Sequence, residues 1–97
     1  MKGVTFHRLA EAEMLEAAAW YERERPGLGR SFLDAVEACV ASVALFPRSG
    51  RPLDEDRRQR HVKRFPYAVV YRIGAGTIRI LAVMHLGRRP FYWSERS

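Results

Sequence analysis

Two stretches carry the residues that could do chemistry. Between residues 57 and 64 stand Arg57, Arg58, Arg60, Lys63 and Arg64, with His61 among them. Between residues 85 and 93 the chain reads His85-Leu86-Gly87-Arg88-Arg89-Pro90-Phe91-Tyr92-Trp93. Guanidinium groups grip phosphates and carboxylates through paired N–H donors, and aromatic rings stack on bases or anchor interfaces. The pattern points to nucleic acid or to an acidic protein. Arg72 and Arg79 interrupt otherwise apolar runs, where a charge is expensive unless it is paired or at the open end of a face. The three histidines and one cysteine lack metal-ligand spacing. There is no Gly-rich phosphate loop, and no serine or cysteine triad can be argued. No metal and no cofactor is expected.

Charge distribution supports the same reading. The 97 residues carry a net charge of +6. Residues 1–50 hold six Lys/Arg against seven Asp/Glu, a balance of −1, and residues 51–97 hold eleven against four, a balance of +7. An excess confined to one half is an electrostatic footprint for a negative partner. Length and composition fit one globular domain spanning 1–97 with its own core. No apolar run approaches a membrane span and no signal-peptide core is visible, so a cytoplasmic protein without membrane contact is expected. Cys39 falls on an apolar helical stripe and reads as a core residue.

The elements that must position these groups follow from periodicity. Val4 to His7 is a short strand candidate, with His7 a solvated strand end. Ala10, Met14, Ala17 and Tyr21 repeat at helical spacing, predicting a helix over residues 9–25 that Pro26-Gly27 stops. Glu11, Glu13 and Glu16 read as its solvated, dipole-favoured start. Leu28, Phe32, Val36, Cys39, Val40 and Val43 predict a second helix over 28–45, ended by Phe46-Pro47. Residues 48–56 read as a loop whose Asp54-Glu55-Asp56 cluster is solvated.

Three strands then follow. In the basic one, Arg58, Arg60, Val62 and Arg64 share one face, and Gln59, His61, Lys63 and Phe65 the other. Its charges suit a sheet edge. Next, Tyr67, Val69, Tyr71 and Ile73 oppose Ala68, Val70 and Arg72. In the last, Ile78, Ile80, Ala82 and Met84 oppose Thr77, Arg79, Leu81, Val83 and His85. Gly74-Ala75-Gly76 reads as a three-residue hairpin loop. Two helices over a largely antiparallel sheet make an α+β fold of order β-α-α-β-β-β. The tail reads as a partner surface or as a lid whose Phe91 and Trp93 pack back on the core.

That element order resembles the RelE/ParE superfamily of small toxins from bacterial type II toxin–antitoxin systems. So do E-A-A-A-W-Y-E (16–22), P-G-L-G-R-S-F (26–32), F-P-Y-A-V-V-Y-R (65–72) and I-L-A-V-M-H-L-G-R-R-P-F-Y-W (80–93). The likeness is greatest to the ParE-like branch. It implies a sheet with two helices on one side and an open basic groove on the other. It also implies a cognate antitoxin whose C-terminal segment wraps the toxin. One branch of the superfamily cleaves mRNA in the ribosomal A site; the other inhibits DNA gyrase.

Each activity gives the residues different roles. The ribosome-dependent nucleases have an arginine directly after the tyrosine that opens the central strand, where this chain has Ala68 after Tyr67. A nuclease reading takes His61 or His85 as base, Tyr92 or a histidine as acid, and Arg72 and Arg88 as stabilisers of the charged phosphate. A gyrase-binding reading needs no such set and uses Arg57, Arg58, Arg60, Lys63, Arg64 and Arg89 for the target or its nucleic acid. Arg60, Lys63, Tyr92 and Trp93 are expected to meet an acidic, partly disordered antitoxin segment. Enzyme and binder both remain open at this point, and Ala68 favours the gyrase binder.

Overall fold

The computed structural model describes residues 3–97. Strand β1 (Gly3–Phe6) leads into helix α1 (Arg8–Glu24), α2 (Leu28–Leu45), a 3-10 turn (Pro47–Ser49), β2 (Arg51–Pro52), β3 (Arg57–His61), β4 (Tyr67–Gly74) and β5 (Thr77–His85). The sheet order is β1-β5-β4-β3-β2. All neighbours are antiparallel except β1, which pairs parallel with β5, Val4 opposite Ile78. The expected α+β order and both helices are present.

Each boundary has a local cause. β1 stops one residue early because His7 turns to cap α1: its Nδ1 accepts the Leu9 N–H at 3.1 Å. His7 is thus an N-cap, not a solvated strand end. Gly27 adopts φ 89°, and the Glu22 carboxylate accepts the N–H groups of Gly27 and Gly29, supplying the start of α2 with its missing acceptors. A Cβ on Gly29 would lie 2.5 Å from the Ala18 carbonyl, so this glycine lets the two helices touch. The P-G-L-G stretch is therefore a helix-to-helix joint.

The helix-facing layer is aromatic at one end. Phe32 meets Phe65 and Tyr67 edge-on, with centroids 5.2 and 4.9 Å apart, and Tyr21 closes the group. Such pairs add about 0.5–1.5 kcal/mol each beyond burial. Ala10, Val36, Val43, Val69, Ile78 and Ile80 continue the layer along the sheet.

Four sequence readings need correction. β3 ends at His61, and Arg64 takes a left-handed φ of 72°. The chain turns there, so Val62 and Phe65 both reach the helix-side core instead of opposite faces. The hairpin loop is two residues, since Gly74 pairs with Thr77 and only Gly76 has positive φ. The 48–56 loop contains β2, which covers β3 opposite Arg58 and Gln59. The fourth lies in β5. Val70 pairs with Ala82 and Tyr71 with Ile80, so Leu81 is a bulged residue that resets the alternation. Val83 joins Ile78 and Ile80 under the helices, while Leu81, Ala82 and Met84 belong to the other face.

Tyr71 fixes the joint after α2. It is fully buried; its hydroxyl donates to the Pro47 carbonyl at 2.5 Å and accepts the Gly50 N–H at 3.1 Å. Tyr71→Phe should cost about 1–3 kcal/mol in denaturant unfolding, because it leaves the buried Gly50 N–H without an acceptor.

His7 links the fold to pH. Burial, and then the charges of Arg96, Arg79 and Arg8, lower its pKa below the usual 6.5. Only the neutral ring can accept the Leu9 N–H. A folded value below the unfolded one means that this contribution is complete above the unfolded pKa and is lost as pH falls through the folded value. Thermal melts from about pH 7.5 down to about pH 5 should show this loss, and His7→Ala should flatten it.

Candidate functional site

The basic strand lies near one edge of the sheet, and its charges are unequal in freedom. Arg58 donates to the carbonyls of Arg48 and Gly50 at 3.1 and 2.9 Å, and Arg60 to the Ser49 hydroxyl at 2.7 Å. Both clamp the turn after α2. Arg57 pairs with Asp54 at 2.8 Å, donates to the Ser94 carbonyl and lies 4.9 Å over the Trp93 ring. Asp54 is thus a partner of Arg57, which holds its carboxyl below the ordinary value mainly by hydrogen bonding. Lys63 and Arg64 are exposed.

Between this edge and α2 runs a groove of about 490 Å³. Ser31, Ala35 and Ser42 form its helix wall, and Arg60, Lys63 and Arg64 its basic rim. Small side chains on α2 leave the room. Cys39 lies at the floor, 8% exposed, and its thiol points to the Arg60 and His61 carbonyls at 3.7 Å. Burial pushes its pKa up to about 11, so it is a protonated wall residue and not a nucleophile.

The sheet face away from the helices is not an open groove. Trp93 is 2% exposed and packs with Val70, Leu81 and Ala82, with Leu53, Met84 and Tyr92 around them. The tail is a lid, and the reading of Trp93 as a displayed partner anchor is corrected: its ring is core. Phe91 stays half-exposed beside it.

Glu13 holds the lid down. One carboxylate oxygen accepts the Val83 N–H at 3.1 Å and Arg96 at 2.9 Å; the other accepts the Tyr92 hydroxyl and Arg96, both at 2.9 Å. Both partners of the ion pair are largely covered, at 12% and 16% side-chain exposure. Glu13 is therefore not part of a solvated helix start. Its position between Ala10 and Ala17 on the buried stripe was the available sequence signal; Arg96 had none. Burial, then the Glu13 charge, pushes the Tyr92 pKa upward, which makes its phenol a poor proton donor.

The groups proposed for a nuclease are dispersed. His61 opposes Ala68, whereas His85 opposes Tyr67 and meets its ring edge-on at 5.1 Å. Adjacent residues of β4 point to opposite faces, so the two histidines do too. Arg72 lies four residues along β4 from Ala68, about 13 Å away. Arg88 and Tyr92 come together, the guanidinium 3.9 Å over the ring, and Arg88 shares a backbone turn with His85. Arg89 is exposed on the tail. Among the described residues no cluster of three or more His, Cys, Asp or Glu could hold a metal, and no helix is long and apolar enough to cross a membrane.

Glu13→Ala should cost about 3 kcal/mol, the low end for breaking a largely buried ion pair, since Arg96 would be left unpaired. Tryptophan fluorescence should move to the red and become open to aqueous quenchers as Trp93 loses its cover. An unchanged spectrum would mean that the lid holds without this ion pair.

No curated protein matches the chain. A solved chain from a chromosomal ParDE TA system of P. aeruginosa superposes with a TM-score of 0.65 at 21% identity, covering 88% of this chain and 96% of that one. At that identity the likeness speaks for the fold. The family model described as "ParE toxin of type II toxin-antitoxin system, parDE" matches residues 4–90, from β1 through β5 into the tail. The chain belongs to the ParE toxin family of type II toxin–antitoxin systems.

Proposed function

We propose that this ParE-family toxin inhibits growth by binding DNA gyrase and trapping it on DNA, and that a cognate antitoxin silences it. The observation that carries the binding reading is the dispersal of the candidate catalytic groups. His61 and His85 lie on opposite sheet faces, and Tyr92 is tied to Glu13. General acid–base cleavage of RNA needs a base and an acid within hydrogen-bond reach of one phosphate. Ala68 is fully buried at the position where the mRNA-cleaving branch of the superfamily carries arginine. Binding needs no such assembly, only an accessible surface of the right charge.

The antitoxin reading rests on the family and on the groove between α2 and β3. β2 covers β3 only opposite Arg58 and Gln59, so the end of β3 is open to an added strand. Lys63 and Arg64 at the rim suit an acidic segment, and Ala35 and Cys39 offer apolar seats. Charge at the rim would set the association rate and its salt dependence. Under this reading the protein acts in the cytoplasm, where both partners are made.

The deciding experiment uses purified toxin in a gyrase assay alongside induction in cells lacking the antitoxin. Expected are inhibited supercoiling, accumulated gyrase–DNA cleavage complexes and arrested growth that co-expressed antitoxin relieves. Growth arrest with normal supercoiling and codon-phased mRNA 5′ ends would overturn the gyrase reading in favour of ribosome-dependent cleavage.

A further inference from the structure

The register of the sheet builds an array whose central member contacts neither groove nor lid. Arg57 on β3 is the direct cross-strand partner of Arg72 on β4, and Arg72 is the direct partner of Arg79 on β5. Thr5 of β1 completes the row beside Arg79. Three guanidinium-bearing residues thus stand side by side on the face away from the helices. Neighbouring strands are about 4.8 Å apart, so the row spans about 10 Å. Like charges directly opposite one another on a sheet face are destabilising. The outer two are compensated. Arg57 has Asp54, the Ser94 carbonyl and the Trp93 ring. Arg79 donates to Thr5 Oγ1 at 3.2 Å, to the Phe6 carbonyl at 3.1 Å and to the Ser97 oxygen at 3.4 Å. Arg72 is half-buried between them and has no side-chain hydrogen bond or ion pair among the described residues. Its planar fork of five donors stands in the row between the positions of two further arginines.

We propose that the Arg57–Arg72–Arg79 row is a phosphate-binding site that receives a backbone phosphate of a nucleic acid. The inference goes beyond the gyrase reading and stands independently of it. Arginine forks match phosphate oxygens bidentately, and a row of three favours a polyanion whose charges repeat at short intervals over a single carboxylate. The one carboxylate paired into the row, Asp54, already belongs to Arg57. The site sits away from the α2–β3 groove, so an occupant of the groove leaves it accessible.

The test measures a fluorescent DNA duplex binding to the toxin, made by cell-free synthesis, across a salt series. Arg72→Ala should reduce the slope of log affinity against log salt by about one, the signature of one lost phosphate contact. Arg72→Lys should retain the slope. Arg25→Ala, at the far end of α1, should match the parent. Arg72→Ala should also melt at the same temperature or higher, since it relieves repulsion and removes no native partner. An unchanged slope overturns the site. A marked drop in Tm would reveal a structural partner for Arg72 and overturn it as well. Loss of inorganic triphosphate or poly-glutamate binding with DNA binding intact would overturn the nucleic-acid assignment.

Discussion

One carboxylate decides whether this sheet has two covered faces or one. Glu13 projects from α1 and gathers donors from β5, from Tyr92 and from both forks of Arg96. Removing a carboxylate and a guanidinium from water costs several kcal/mol per ion, and only good geometry with filled lone pairs offsets it. Here four hydrogen bonds meet two oxygens, and among the described residues no buried polar side-chain atom is left without a partner. The ion pair brings the tail close enough for Trp93 to settle on Val70, Leu81 and Ala82. Without that cover, two central strands would present apolar side chains to water on one side.

The bulge at Leu81 serves the same end. A regular β5 would send Leu81 and Val83 to one face and Ala82 to the other. The extra residue puts Leu81 and Ala82 together beneath Trp93 and returns Val83 to the helices. Each face thereby receives side chains of the size it can pack. The same register aligns Arg79 with Arg72 and Arg57 on the lid's face of the sheet, and the row meets the lid where Arg57 lies over Trp93 and donates to Ser94.

Most of the architecture was legible because it is periodic. The 3.6-residue stripes gave both helices within a residue or so, and period-two alternation gave the faces of β4 correctly. Legibility failed where a single residue breaks a period. Nothing in T-I-R-I-L-A-V-M announces a bulge, because every residue after Arg79 is apolar and fits either face. His7 and Glu13 were misread for one reason: a polar residue at a helix start is usually solvated, and only the third dimension reveals its partner. The surface of the candidate site was less legible still. Charge counting found the basic strand, but Arg58 and Arg60 spend their donors on backbone carbonyls and a serine of their own chain. Composition does not separate such arginines from Lys63 and Arg64, which face solvent.

The parallel pairing of β1 with β5 has a consequence for how the chain comes into being. Val4 meets Ile78, and Glu13 meets Arg96, so the contacts that close the domain join residues more than seventy positions apart. The α1–α2 hairpin and the β3–β4–β5 meander are built from near neighbours and form early; long loops close late because their entropy must be met first. During vectorial synthesis β1 has no strand to pair with until residue 77 has emerged, and the lid has no latch until residue 96 has. Until then the nascent domain is a helical hairpin and an unfinished sheet. Its two-faced sheet comes into existence only once residue 96 is free to meet Glu13.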